Sequence, residues 1–92
     1  MPGKSNTITG VVRDPNGRPV SQARVYFTAG PVGFPDIAAL TNNHGEFVLS
    51  APADGNYELE CAAEGFSLIS ITAEVKGSQR TMLQIKLEPK SS

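Results

Sequence analysis

The chain has no tryptophan, one cysteine and one histidine, and each scarcity excludes something. Cys61 has no second cysteine to pair with, so no internal disulfide holds the fold, and neither an oxidising nor a reducing compartment is implied. A Ser-His-Asp or Cys-His arrangement would have to use His44, and nothing in the sequence sets Cys61 or a serine beside it. One histidine and one cysteine are too few soft ligands for a structural zinc, and Asp36 and Asp54 are single loop carboxylates where calcium wants several oxygens from one loop. No metal or cofactor is therefore expected. Charge of one sign is also missing. Eight basic and nine acidic residues leave a net charge of -1, too little field to gather phosphates or anionic lipid, so nucleic acid is not an expected partner. No run approaches the roughly 18 apolar residues of a membrane span. The opening Met1-Pro2-Gly3-Lys4-Ser5-Asn6 has no apolar core of a leader. As written the chain is expected in the cytoplasm, or outside it as part of a larger exported protein.

What is present is a series of short alternating segments separated by turn residues. At 92 residues the chain makes one domain that buries about 60–65% of its unfolded surface, which predicts modest stability. Residues 1–6 read as a flexible tail, 7–88 as the domain and 89–92 as a second tail. The β-branched stretch Thr7 to Arg13 predicts a first strand with Ile8, Gly10 and Val12 on one face. A glycine there predicts a bulge or a close approach by another part of the chain. Asp14-Pro15-Asn16-Gly17 has the residue order of a type I turn, and Pro19 keeps the connector after it at an edge. Ala23 to Thr28 alternates again, and the Gly/Pro-rich Ala29 to Asp36 that follows predicts an irregular loop carrying Phe34.

Ile37 to Thr41 and Glu46 to Ser50 flank a polar turn, Asn42-Asn43-His44-Gly45, and predict a hairpin whose two arms pair, with Phe47 and Leu49 on one face. Asn56 to Ala62 alternates without exception, turning Tyr57, Leu59 and Cys61 inward and Glu58 and Glu60 outward. Ser67 to Val75 and Thr81 to Glu88 complete seven strands, the last with Leu83, Ile85 and Leu87 facing in. No segment has helical period. The pattern predicts an all-β, seven-stranded, antiparallel or mixed two-sheet sandwich.

The residues Ile8-x-Gly10-x-Val12-x-Asp14-x-x-Gly17-x-Pro19-Val20-x-x-Ala23-x-Val25, then Thr41-x-x-x-Gly45-x-Phe47-x-Leu49, Gly55-x-Tyr57-x-Leu59, Ala63-x-Gly65-Phe66 and Ile85-x-Leu87 resemble the carboxypeptidase regulatory-like domain family. The likeness runs from about Thr7 to Leu87. It implies the transthyretin-like, or prealbumin-like, Greek-key sandwich. It also implies a structural appendage beside peptidase, receptor, adhesin or secretion-tip modules, without chemistry of its own. The sequence departs from the family's pattern at Asn42 and His44, where acidic residues are usual, and at Gln22, where a glycine is usual. The same fold hosts a hydrolase acting on hydroxyisourate that relies on several histidines, which one His44 does not supply.

The expected function is accordingly a non-catalytic accessory domain that binds or positions a protein partner, in a cell-surface or secretion-tip assembly. The candidate contact residues are Tyr26, on the polar side of its strand, Phe34 and Asp36 in the Gly/Pro loop, and Asn43 and His44 in the polar turn. Phe34 either presents itself to a partner or folds back over the end of the sandwich. The alternatives are a carbohydrate-binding module that stacks sugar on Tyr26 and Phe34, and a small hydrolase using His44. Cys61 reads as a small buried hydrophobe. The last strand, guarded on its outer side by Gln84 and Lys86, predicts a monomer or a weak dimer formed edge to edge.

Overall fold

A computed structural model describes residues 7–31, 33, 38–76 and 80–90. Among these residues seven strands form: β1 (Thr7–Arg13), β2 (Arg24–Ala29), β3 (Ala39–Leu40), β4 (Glu46–Ser50), β5 (Gly55–Ala62), β6 (Ile69–Val75) and β7 (Thr81–Lys86). They make a three-stranded sheet in the order β4-β1-β7 and a four-stranded sheet in the order β3-β2-β5-β6. All pairings are antiparallel except β1 with β7, which is parallel and makes the first sheet mixed. This is the two-sheet sandwich that the alternation predicts.

The inward residue of every alternation meets its counterpart from the other sheet. Ile8 and Val12 of β1, Phe47 and Leu49 of β4 and Ile85 of β7 face Val25, Phe27, Tyr57, Leu59, Cys61, Ala73 and Val75 in one buried cluster. Tyr57, wholly buried, packs against Phe27 with ring centroids 4.9 Å apart. Its hydroxyl stays satisfied by donating to the Ala53 carbonyl at 2.7 Å and accepting from the Ala53 N–H at 3.1 Å, so burying the ring leaves no polar atom stranded. Burial also pushes the Cys61 thiol up to about 11, which keeps it protonated and unreactive near neutrality.

Gly10 does not form a bulge; it serves a close approach. A methyl group added there would lie 2.5 Å from the Phe47 ring and 2.8 Å from the Leu83 carbonyl oxygen, so the ring of β4 lies across the bare backbone of β1. The bulge falls elsewhere, between Phe27 and Ala29 where β2 runs beside β5.

The expected hairpin is corrected by the structure. The turn closes as predicted, with the Asn42 N–H donating to the Glu46 carbonyl at 3.0 Å and the Gly45 N–H to the Asn42 carbonyl at 2.9 Å. Its arms do not pair: β3 joins the four-stranded sheet and β4 the three-stranded one. Thr41 is the reason on one side. Its buried hydroxyl donates to the Val20 carbonyl at 2.7 Å and accepts from the Ala23 N–H at 2.9 Å, tying the exit of β3 to β2. Gly45 is the reason on the other. Its carbonyl accepts from the Val12 N–H at 2.8 Å, and its φ of 74°, with no room for a Cβ against the Val12 carbonyl, lets β4 enter beside β1. The expected third strand, Ile37 to Thr41, shrinks to Ala39–Leu40, and Ile37 lies outside the described residues. Gln22, where the family pattern has glycine, holds φ 60°, in the region glycine enters without cost.

Candidate interaction surface

The residues expected to meet a partner do not converge. Tyr26 lies half-buried on the outer face of the four-stranded sheet, directly across from Glu60, and its hydroxyl donates to Glu60 Oε1 at 3.0 Å. That bond, then desolvation and the nearby negative charge, raise the Tyr26 pKa, with Arg24 opposing. Asn43 and His44 are exposed at the tip of the Asn42–Gly45 turn, at the end of the sandwich where β3 gives way to β4. There Asn42 Oδ1 accepts from the His44 N–H at 2.9 Å and the Glu46 N–H at 3.0 Å, and its Nδ2 donates to Glu46 Oε1 at 3.1 Å. Asn42 thus shapes the turn and presents its two neighbours to solvent. Phe34 and Asp36 lie outside the described residues. Cys61 is buried between the sheets while His44 is exposed, so the two do not form a nucleophile and base. Among the described residues no three His, Cys, Asp or Glu side chains stand close enough to hold a metal ion.

Among the described residues, two of the four exposed large hydrophobics lie together on the outer face of the three-stranded sheet. Thr9 of β1 is flanked in register by Val48 of β4 and Met82 of β7. Val48 is 61% and Met82 71% exposed. The next row along the same face is Glu46, Val11 and Gln84, again in register, with Val11 half-buried. Two apolar side chains are thus held about 10 Å apart across three strands, with Thr9 between them and Val11 in the next row. Isolated exposed hydrophobics are ordinary on protein surfaces; these two are held in register on one face of a sheet. The signal was in the sequence: the alternation that turns Phe47, Leu49, Leu83 and Ile85 inward turns Val48 and Met82 outward. Gln84 and Lys86 are indeed outward guards of β7, but Met82 is outward with them.

A second, more polar surface lies on the four-stranded side, an open depression of about 500 Å³ lined by Arg24, Ala63, Glu64, Phe66, Leu68 and Lys90. Leu68 is 56% exposed there, and charges of both signs surround it.

The family model described as the carboxypeptidase regulatory-like domain matches residues 7–88. Among curated proteins none matches this sequence. Solved structures show the same fold. The group B streptococcus pilus 2b backbone protein superposes with a TM-score of 0.73 at 14% identity, over 95% of this chain and 42% of its own. The Bacillus anthracis TIE protein gives 0.71 at 17% identity, over 94% and 17%. A hydroxyquinol 1,2-dioxygenase from Pseudomonas putida DLL-E4 gives 0.69 at 13% identity, over 98% and 58%. The chain spans less than two thirds of each of these proteins, and at such identities the likeness shows the fold alone.

Proposed function

Given that the chain belongs to the carboxypeptidase regulatory-like domain family, we propose that it is a non-catalytic accessory module that binds or positions a protein partner through the outer face of the β4-β1-β7 sheet. The observation that carries this is the row Val48, Thr9, Met82, an apolar centre inside a polar rim on a rigid support. A partner covering that row gains the burial of two largely exposed apolar side chains, while Glu46, Gln84 and Lys86 at the margin set its orientation. β4 and β7 are both edge strands of this sheet, so a partner strand has open hydrogen-bonding groups on either side of the same face.

A place in an extended assembly suits the geometry. Thr7, paired with Ser50, stands at one end of the sandwich, while Lys90, whose N–H donates to the Gly65 carbonyl at 3.0 Å, stands at the other. Neighbouring modules on the two sides would then be spaced by the length of the domain. The likeness to a pilus backbone protein agrees with a cell-surface assembly of this kind.

The test is site-specific photo-crosslinking in cells that make the protein, from position 82 and, as a control, from Thr72 on the outer face of the other sheet. The module reading expects a protein adduct from position 82, none from position 72, and loss of the adduct on Val48→Glu. Equal crosslinking from both positions, or none, refutes it.

A further inference from the structure

We propose that the pocket between Arg13 and Lys86, at one end of the β4-β1-β7 face, is a carboxylate site, and that a protein partner seats an acidic side chain in it. This rests on the reading of that face as a protein contact and adds the chemistry that the contact recognises.

Alternation carries the outward side of β1 from Thr9 through Val11 to Arg13, and that of β7 from Met82 through Gln84 to Lys86. Arg13 and Lys86 are both exposed and stand in register on neighbouring strands. Like charges set side by side repel, and the acids nearby relieve them little. The ladder between β4 and β1 reaches only to Glu46 opposite Val11, and the neighbour of Arg13 on that side is the uncharged Pro19. Asp14 Oδ1 already accepts from the Asn16 and Arg18 N–H groups, each at 2.9 Å. Glu46 Oε1 accepts from Asn42 Nδ2 at 3.1 Å. Glu88 comes within 3.9 Å of the Lys86 ammonium, too far for a hydrogen bond and largely in water, so it competes weakly. Among the described residues Arg13 forms no ion pair.

The two cations line an open pocket of about 370 Å³ together with Val11, Pro15 and Gln84, room enough for a side chain. The guanidinium offers a planar fork that matches a carboxylate, the ammonium adds a point charge, and the Gln84 amide is a further donor. Val11 and Pro15 give the methylene stem of the acid an apolar wall. Glu46 and Glu88 at the margins repel a chain of many negative charges, so the site suits one isolated acid.

The pocket lies two rows along the face from Val48, Thr9 and Met82. From Thr9 to Arg13 is four residues of strand, or about 13 Å. A partner segment that covers the apolar row and fills the pocket therefore carries its acid about 13 Å from its apolar group, the reach of four residues of extended chain.

Chemical-shift titration of the isotope-labelled 92-residue chain with glutarate tests the pocket. Glutarate is expected to move the amides of Arg13, Gly17, Gln84 and Lys86 with Kd on the order of 10 mM. Arg13→Gln and Lys86→Gln, both at exposed positions, should each weaken this at least about five-fold with the melting curve unchanged. Equal movement of the Arg24 and Lys90 amides, or the same shifts from neutral glutaramide, overturns the site. Inorganic phosphate binding more tightly than glutarate overturns the choice of a carboxylate. In cells, Arg13→Glu combined with Lys86→Glu should abolish the adduct formed from position 82. An adduct that survives the double reversal rejects the acidic contact and leaves the accessory-module reading standing. Glutarate binding with no adduct from the wild type rejects that reading, and with it the protein source of the acid.

Discussion

Gly10→Ala is the sharpest single probe of how the two edge strands of the smaller sheet are fastened to β1. Replacing a strand glycine by alanine ordinarily stabilises by about 0.5–1 kcal/mol, because the unfolded chain loses freedom. Here the new methyl would lie 2.5 Å from the Phe47 ring and 2.8 Å from the Leu83 carbonyl oxygen, against the 3.5–4.0 Å of comfortable contact. The ring has nowhere to retreat, being buried between the sheets, and the carbonyl belongs to the β7 backbone paired to β1. Overpacking of this kind costs about 1–3 kcal/mol, and a backbone clash adds to it, so a net loss of about 2–4 kcal/mol is expected. Urea unfolding followed by far-ultraviolet dichroism measures it as a fall in midpoint at constant slope. Phe47→Leu alone should cost about 1–1.5 kcal/mol, but the pair should cost clearly less than the sum, because the smaller side chain vacates most of the space the methyl needs. A Gly10→Ala protein as stable as the wild type, or a pair whose losses simply add, would refute the packing described.

Three further outcomes are expected. Thr41→Val leaves the Val20 carbonyl and the Ala23 N–H buried without their partner and should lower stability by about 1–3 kcal/mol in the same unfolding assay, while Thr41→Ser restores most of it. Gln22→Gly removes a non-glycine residue from φ 60° and should raise the melting free energy by about 0.5–1 kcal/mol. Cys61 has a folded pKa raised from 9.0 to about 11 by burial. The stability tied to its proton is complete below about pH 9 and is lost as pH rises toward 11, amounting to about 2–3 kcal/mol at the top of that window. The wild type should fall more steeply over that range than Cys61→Ala, and Cys61 should resist a disulfide reagent at pH 8 until the protein unfolds.

The strand pattern was legible because alternation is a local property. Tyr57, Leu59 and Cys61 turn inward in the sequence and are wholly buried in the structure, and the likeness that ran from Thr7 to Leu87 is matched by the family over residues 7–88. Where strands go after a turn is not local. Asn42 and Gly45 specify a reversal equally well for a hairpin and for a crossing between sheets. What decides is Thr41, through bonds to Val20 and Ala23 far back in the chain. Tyr26 shows a similar limit: its position on the polar side of β2 was readable, but its bond to Glu60 depends on the register with β5. Val48 and Met82 were each readable as outward. Only the pairing of β4 and β7 on either side of β1 brings them into one row.

The parallel pairing of β1 and β7 has a mechanical consequence. Thr7 enters at one end and the chain leaves β7 beyond Leu87 at the other, with the Leu87 N–H already donating to the Arg13 carbonyl at 2.8 Å. Tension between those two points slides β1 along β7 and strains every rung from Ile8 opposite Thr81 to Arg13 opposite Lys86 at once. A hairpin pulled from its open end would peel one rung at a time. A domain strung between neighbours in this way bears load in shear, and would give way abruptly at high force where a peeled sheet would yield gradually.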